Sequence, residues 1–482
     1  MKLAQFFKRY NQLLIPLSLC IGASFIFLFR LGMPTLQAWD EAWYGTVAQT
    51  IIKSHNWVFL KWGGEPFMDH PPMGMWLMAL SYIVFGVTEF STRLPSALAG
   101  IFTILFVYLT GVHLYKKRSI GVAAAVIVAT SVWYVLRVRS GNLDALLAFF
   151  FVATFYSSIR SKDESIWFPI SMLFFGCLMM TKALVGISMI PVVVFLNWRH
   201  IFFRKSWIYI VIGLLVFASV VVPWYHAQFS HYSNFFDYHF KNIGLRNQNI
   251  WSYFNIQPKQ PLYYLHMGVR KWYYLWVVAL VYSSLSLRWK SAKTASVFLW
   301  FGCMLFPFFG SERTELWHLI PVYLPLSLIT SSGLYYMGND IRRFIVSVKN
   351  RGIRPVIIFL SQKNVNILYV SIFLFIGLFQ LYKFYPEVYP QYPYISDIVD
   401  VGKNAKIYAR GKLYLNESFL PVIAFYSGRD TYSAGDIIDF WKSNESADTS
   451  TIVGKWGIDR LKNENIHFKT LYHNSSYFII MH

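Results

Sequence analysis

"PPMGMWLMALSYIVFG", residues 71–86, decides how the rest of the chain is threaded. It is apolar enough to enter a bilayer, yet it has only 16 residues and opens with two prolines. A helix that crosses the hydrocarbon core needs about 20 residues. If this stretch crossed, every later loop would change sides and the basic loops would face outward, against the positive-inside rule. The consistent reading lays residues 71–86 flat on, or dipping into, the outer face of a membrane.

That a membrane is present follows from composition. Of 482 residues, 56% are hydrophobic, 19% aromatic and only 14% charged, where soluble domains carry about 25% charged residues. The mean hydropathy is +0.41. The net charge of +21 is explained by basic residues that collect in cytoplasmic loops, so it does not point to a nucleic-acid partner. Cys20, Cys177 and Cys303 lie in apolar segments without CxxC spacing and read as small core residues, not as a disulfide or metal framework. The many Trp, Tyr and Phe residues are accounted for by interfacial belts.

The first apolar segment, about Leu13 to Leu31, follows Lys2, Lys8 and Arg9 and has no small-residue cleavage signature. It reads as a retained span with the N-terminus in the cytoplasm. Further spans are expected near 94–115, 119–136, 143–159, 166–181, 183–198, 207–229, 272–287, 295–310, 318–337 and 364–385, about eleven in all. The cytoplasmic loops are then Lys116–Arg118, Arg160–Lys162, Arg199–Lys205, Arg288–Lys293 and Asn339–Lys363, and every one is basic. The segments 166–181 and 183–198 are short enough to be a tilted pair or a re-entrant hairpin.

The first outer loop, about residues 32–92, holds a second surface-lying helix, "AWYGTVAQTII". Trp43, Val47 and Ile51 share one side, and Gly45, Gln49 and Lys53 the other. Beyond Tyr385 the chain turns polar. Short β-type runs ("AKIYAR", "TSTIVG", "YFIIMH") alternate with helical ones ("DIIDFWKSN", "WGIDRLKN"). An odd span count puts residues 386–482 outside, as a small α/β domain beside a transmembrane region of residues 1–385.

"DEAWYGTVAQTIIKSHNWVFLKWGGEPFMDHPPMGMWLMALSYIVFG", residues 40–86, resembles the first periplasmic loop of the GT-C membrane glycosyltransferases. In pattern it is similar to the lipid A aminoarabinose transferases and the protein O-mannosyltransferases. "RLPSALAG", "RSGNLDALLAF", "MTKALVG", "VVPWY", "HFKNIGLRNQ" and "WHLIPVYLP" look like further family blocks, in family order. "LNESFLPVIAFYSGRD" is similar to part of the relatives' C-terminal periplasmic domain.

The resemblance implies an all-α polytopic GT-C enzyme of the bacterial inner membrane, with its site on the periplasmic face. It implies transfer, with inversion, of a sugar from a polyprenyl-phosphate donor to an envelope acceptor: lipid A, lipopolysaccharide, another glycan or a protein. It implies no cofactor and no metal. The chain also has no Gly-rich phosphate loop and no HExxH motif.

Such chemistry needs a carboxylate for the acceptor proton and cations for the leaving phosphate. On this pattern Asp40 is the base, Glu41 orients the acceptor or the base, and Asp144 helps shape the site. Asp40 also suits an N-cap, and Asp144 a helix start. The donor phosphate falls to His70, Lys182, Arg246 and His318, with Tyr323 as the alternative to His318. His70 departs from the aminoarabinose transferases, which carry Lys before the double proline. Lys182 also suits a snorkelling span end, and Arg93, Arg137 and Arg139 read as interfacial anchors outside the site. A transporter or flippase, or a polymerase or ligase of lipid-linked sugars, is the alternative function.

Overall fold

The structure, a computed structural model, describes all residues except 1, 37–39, 203–206, 246–250, 252–253, 287–290, 312–313, 349–360, 390–395, 417–420, 444–447 and 482. It divides into two compact units. One comprises Met1–Phe29, Ser96–Arg139 and Leu143–Tyr389, the other Arg30–Pro95, Ser140–Asn142 and Pro390–His482.

The first unit is helical. Each of the eleven segments expected to span lies on helix over most of its length. Among the described residues, four helices are long and apolar enough to cross a membrane: Glu89–Tyr115, Trp207–His231, Leu316–Ile345 and Gln362–Lys383. A fifth crossing is available if Arg118–Thr130 and Val132–Val138, bent by 69°, count as one. The shorter apolar helices include Trp167–Met179 and Ala183–Trp198. Leu316–Ile345 is 89% buried inside the protein, but Trp207–His231 and Gln362–Lys383 are only 17% buried. Their outward residues include Leu214, Leu215, Phe375 and Leu378, the face a lipid-contacting helix shows.

The bend at Ser131 shows how this unit satisfies its backbone. A broken helix inside hydrocarbon leaves carbonyls without a partner, and each must be answered by the protein. Gln380 Nε2 donates to Thr130 O at 2.7 Å, and Trp272 Nε1 donates to Thr130 Oγ1 at 3.0 Å. The Gln380 carbonyl accepts from Lys271 N at 2.9 Å. Where Glu89–Tyr115 crosses Arg118–Thr130, a Cβ on Gly111 would lie 2.8 Å from Gly121 Cα. Only small residues allow that approach.

In the second unit, residues 71–86 form the 13-residue helix Met73–Phe85, about 20 Å long and too short for a crossing. Gly74, Met75, Met78, Ala79 and Tyr82 are buried, while Leu80, Ile83, Val84 and Phe85 face outward.

The Asp40–Ser54 helix does not show water the polar side expected at Gly45 and Gln49. Nine of its fifteen residues are buried, Gly45 and Gln49 among them. A Cβ at Gly45 would sit 3.1 Å from Phe425 and from the Tyr82 hydroxyl, and Gln49 Nε2 donates to Phe425 O at 3.1 Å. The side read as polar is therefore a packed face whose one amide is bonded to backbone.

Strands β1 (Lys61–Trp62) and β2 (Glu65–Pro66) form a hairpin through Gly63 and Gly64, both at positive φ. The polar C-terminal stretch builds a five-stranded sheet of β3 (Lys412–Leu415), β4 (Thr431–Ser433), β5 (Thr449–Gly454), β6 (Lys469–His473) and β7 (Tyr477–Met481). Its order is β4-β3-β5-β7-β6, with β3, β4 and β5 parallel and the other two pairings antiparallel. "AKIYAR", read as a strand, ends the Asp397–Tyr408 helix instead. Val401, Ala405 and Ala409 recur at helical spacing and fill one core with Leu413, Ile423 and Ile452, so the period of about four overrides the short β-type composition.

Candidate active site

The expected site residues fall into two groups, one in each unit. In the second unit Asp40 and Glu41 open the Asp40–Ser54 helix, where carboxylates are favoured by the helix dipole. Asp40 is half-buried. Glu41 is buried at 3% exposure, and it is paired. Arg93 Nε donates to Glu41 Oε1 at 2.5 Å and Nη2 to Oε2 at 3.0 Å. The other Arg93 donors reach Leu31 O at 2.9 Å, Pro34 O at 2.7 Å and Thr35 O at 3.0 Å. All five N–H donors of the guanidinium are thereby used.

Gly141 N donates to the same Glu41 Oε1 at 2.9 Å. A Cβ at Gly141 would lie 2.8 Å from Thr92 Cγ2 and 3.2 Å from Glu41 Cγ, so only glycine lets this backbone approach the carboxylate. "DEA", "RLPSALAG" and "RSGN" thus meet at one buried ion pair. A pair so placed is tolerable because its polar atoms are answered on every side. It fixes the helix turn on which Asp40 stands.

One turn beyond Asp40, the buried Tyr44 meets the half-buried His70 ring, with centroids 5.8 Å apart and planes at 65°. Tyr44 stacks on Trp43, and both pack edge-on against Phe67. His70 is thus set beside the first turns of the Asp40 helix by an aromatic cluster.

In the first unit Asp144 opens the Asp144–Arg160 helix and accepts from Arg137 Nε at 2.6 Å. The Arg137 guanidinium lies over the Trp317 ring at 5.2 Å. Trp317 stacks on Trp133 and meets His318 edge-on. His318 Nδ1 accepts from Glu315 N at 3.1 Å, which orients the ring. Asp144, Arg137, Trp317 and His318 form one connected cluster.

Tyr323 is fully buried, its hydroxyl has no hydrogen-bond partner among the described residues, and a Cβ at Gly268 would collide with it. Lys182 is half-buried and extended at the break before Ala183–Ile187. Arg246 lies outside the described residues.

The three arginines read as interfacial anchors are bonding residues. Arg93 holds Glu41 and Arg137 holds Asp144. Arg139, 8% exposed, donates to Ile26 O and Phe27 O at the end of the first helix and stacks over Tyr389. A signal was present, because an ionised residue set among apolar ones is costly and usually has a named partner. Also missed was a cavity of about 210 Å³ in the first unit, lined by His266, Arg270, Lys271 and Lys383 with Phe379 and Phe384. Among the described residues, no group of three or more His, Cys, Asp or Glu side chains is placed to hold a metal ion.

Residues 69–226 match the family model described as dolichyl-phosphate-mannose-protein mannosyltransferase. The chain is 25% identical over 342 residues to the undecaprenyl phosphate-alpha-4-amino-4-deoxy-L-arabinose arabinosyl transferase of Shewanella sediminis. That stretch is 66% of this chain and 60% of the relative, so the chain spans less than two thirds of that relative's length. Among solved structures, ArnT from Cupriavidus metallidurans bound to undecaprenyl phosphate superposes with a TM-score of 0.72 over 98% of both chains, at 13% identity. The archaeal oligosaccharyltransferase AglB from Archaeoglobus fulgidus, in complex with an inhibitory peptide and a dolichol-phosphate, gives a TM-score of 0.54 at 12% identity. It covers 93% of this chain and 70% of that one. The chain thus shares its fold with these two membrane proteins.

Proposed function

We propose that the protein is an integral-membrane inverting glycosyltransferase that moves a sugar from a polyprenyl-phosphate donor to a cell-envelope acceptor at the periplasmic face. The carrying observation is the buried Glu41–Arg93–Gly141 assembly, which holds the turn bearing Asp40. An ionised turn fixed this firmly suits a reacting group that must keep its place. The relatives act in the same sense, since the arabinosyl transferase name specifies an undecaprenyl-phosphate-linked sugar.

In this reading Asp40 takes the proton of the acceptor hydroxyl or amine as that atom bonds to the anomeric carbon. The bond from that carbon to the phosphate oxygen breaks on the opposite side, which inverts the centre and releases polyprenyl phosphate. Glu41 positions Asp40 through its own fixed carboxylate. Asp144, held by Arg137, shapes the acceptor side. His70, Lys182, Arg246 and His318, with Tyr323 as the alternative to His318, offset the charge that grows on the leaving phosphate. Lipid A, lipopolysaccharide, another glycan or a protein is the acceptor.

About eleven spans carry residues 1–385, with the N-terminus in the cytoplasm of a bacterial inner membrane and residues 32–92 and 386–482 outside. A reporter fused after residue 350 then reads cytoplasmic and one at 482 periplasmic; a periplasmic signal at 350 removes Asp40 from the outer face. The chemistry is tested with purified protein and a radiolabelled polyprenyl-phosphate sugar. Release of polyprenyl phosphate with label on an envelope acceptor is expected, and an unchanged donor overturns the reading.

A further inference from the structure

The three parallel strands of the C-terminal sheet follow in chain order as β3, β4 and β5, but lie in the order β4-β3-β5. The chain steps from β3 to one side, then returns past it to the other. In open α/β sheets the crevice at such a reversal, beyond the carboxyl ends of the strands, is where ligands bind. Here that crevice is a cavity of about 280 Å³. Asn416, just after β3, and Gly454, Trp456 and Gly457, at and after the end of β5, line it together with Asp436 and Arg460.

The lining is unusual for a surface with no role. Trp456 is 68% exposed, and the Arg460 guanidinium lies 4.9 Å from its ring centroid. Arg460 Nη1 donates to Asp436 Oδ2 at 2.7 Å, while Asp436 Oδ1 accepts from Ile438 N and Asp439 N. The Arg460 bond, with those backbone N–H groups, holds the Asp436 carboxyl below the usual carboxylate range. A Cβ at Gly457 would collide with Val453 Cγ1 and come 3.1 Å from Asn416 Nδ2, so glycine is required here by core packing and also leaves that amide its place. The Asn416 side-chain amide has no hydrogen-bond partner among the described residues.

We propose that this cavity is a saccharide-binding subsite that takes one neutral sugar ring. A flat indole with one open face accepts the C–H face of a pyranose or furanose. The carboxylate, amide and guanidinium supply planar acceptors and donors for the ring hydroxyls. The volume of about 280 Å³ lies just below the range of about 300–1,000 Å³ for drug-sized ligands, so it suits one ring and not a nucleotide. Asp436 and Arg460 neutralise each other in the lining, so the cavity offers polar atoms without a net charge, which suits an uncharged polyol. The inference rests on the cavity alone and is independent of the transferase reading.

The test is saturation-transfer NMR on the full-length protein in a zwitterionic detergent that lacks a sugar headgroup. The ligands are methyl glycosides of a hexose, a pentose and an N-acetylhexosamine, with glucose 6-phosphate and inorganic phosphate as anionic arms. At least one neutral glycoside is expected to bind wild-type protein. Trp456→Ala should weaken it by about tenfold or more, the scale of one lost stacking contact, while Trp456→Phe keeps most of it. Asn416→Ala and Arg460→Ala should fall between. Near-UV circular dichroism checks that Trp456→Ala is folded, and a second variant, Arg460→Ala, serves if it is not. The proposal is overturned if no neutral glycoside binds, if binding survives Trp456→Ala and Arg460→Ala unchanged, or if only the phosphate-bearing ligands respond.

Discussion

Two acid–arginine pairs stand at helix starts in this molecule, and they are built differently. Glu41 and Arg93 are sealed, with side chains 3% and 4% exposed, and the guanidinium spends its remaining donors on three backbone carbonyls. Asp144 and Arg137 are more open, at 6% and 15%, and the guanidinium lies over an indole. The first arrangement holds backbone segments far apart in sequence. The second keeps a cation at the edge of an aromatic cluster that includes His318. An acid–arginine pair thus serves structure in one place and leaves a chemically usable surface in the other.

The largest effect should come from breaking the sealed pair. Arg93→Ala leaves a buried carboxylate without its partner, which costs about 3–5 kcal/mol. A thermal melt in detergent should show a large loss of stability. Glu41→Ala combined with Arg93→Ala should be less damaged than the sum of the two single changes. A wild-type melting temperature for Arg93→Ala would sink the structural role.

Next is Asp40→Asn, which keeps size and capping ability but loses the proton acceptor. Turnover should fall by about a hundredfold or more, with the melt unchanged. Activity near wild type would end the assignment of Asp40 as base and leave it as a helix cap.

The open pair should respond more gently. Asp144→Asn keeps the shape and loses the charge, and about a tenfold fall in turnover is expected, the scale of one charge-assisted hydrogen bond. Loss of stability as large as for Arg93→Ala would show that the two pairs are alike after all.

The smallest effect is expected at His70. His70→Ala should raise KM for the donor by several-fold to about tenfold, with little change in kcat. His70→Lys should stay within a few-fold of wild type, because it supplies a permanent cation at the same place. A kcat defect in both variants would move His70 from donor binding to the reacting atoms.

How much of this was legible depends on where each residue's partner lies. The apolar runs marked the helices because hydropathy is local, and the acids of "DEA" were visible because charge beside a long apolar run is rare. The arginine partners were not legible. Arg93 lies 52 residues from Glu41, and Gly141 lies 100 residues from it, so no local pattern announces the contact. Gln49 was misplaced for the same reason, since its partner carbonyl is 376 residues away. "AKIYAR" failed differently. Its β-type composition was read over six residues, whereas the helix it ends is twelve residues long. Arg137 and Asp144, seven residues apart with opposite charges, were within reach of sequence reasoning.

Gly141 carries a consequence for how the protein is made. It belongs by packing to the second unit, while Arg139 before it and Leu143 after it belong to the first. During synthesis, Glu41 and Arg93 emerge well before the backbone N–H that completes their bonding. Gln49 waits longer still, because Phe425 lies 376 residues further along the chain. The first loop therefore keeps a buried amide site unfilled until residue 425 is made, and its final packing is set by the order of arrival. A nascent chain stopped short of residue 421 would carry Asp40, Glu41 and Asp144 and still lack the carbonyl that seats the middle of the Asp40 helix.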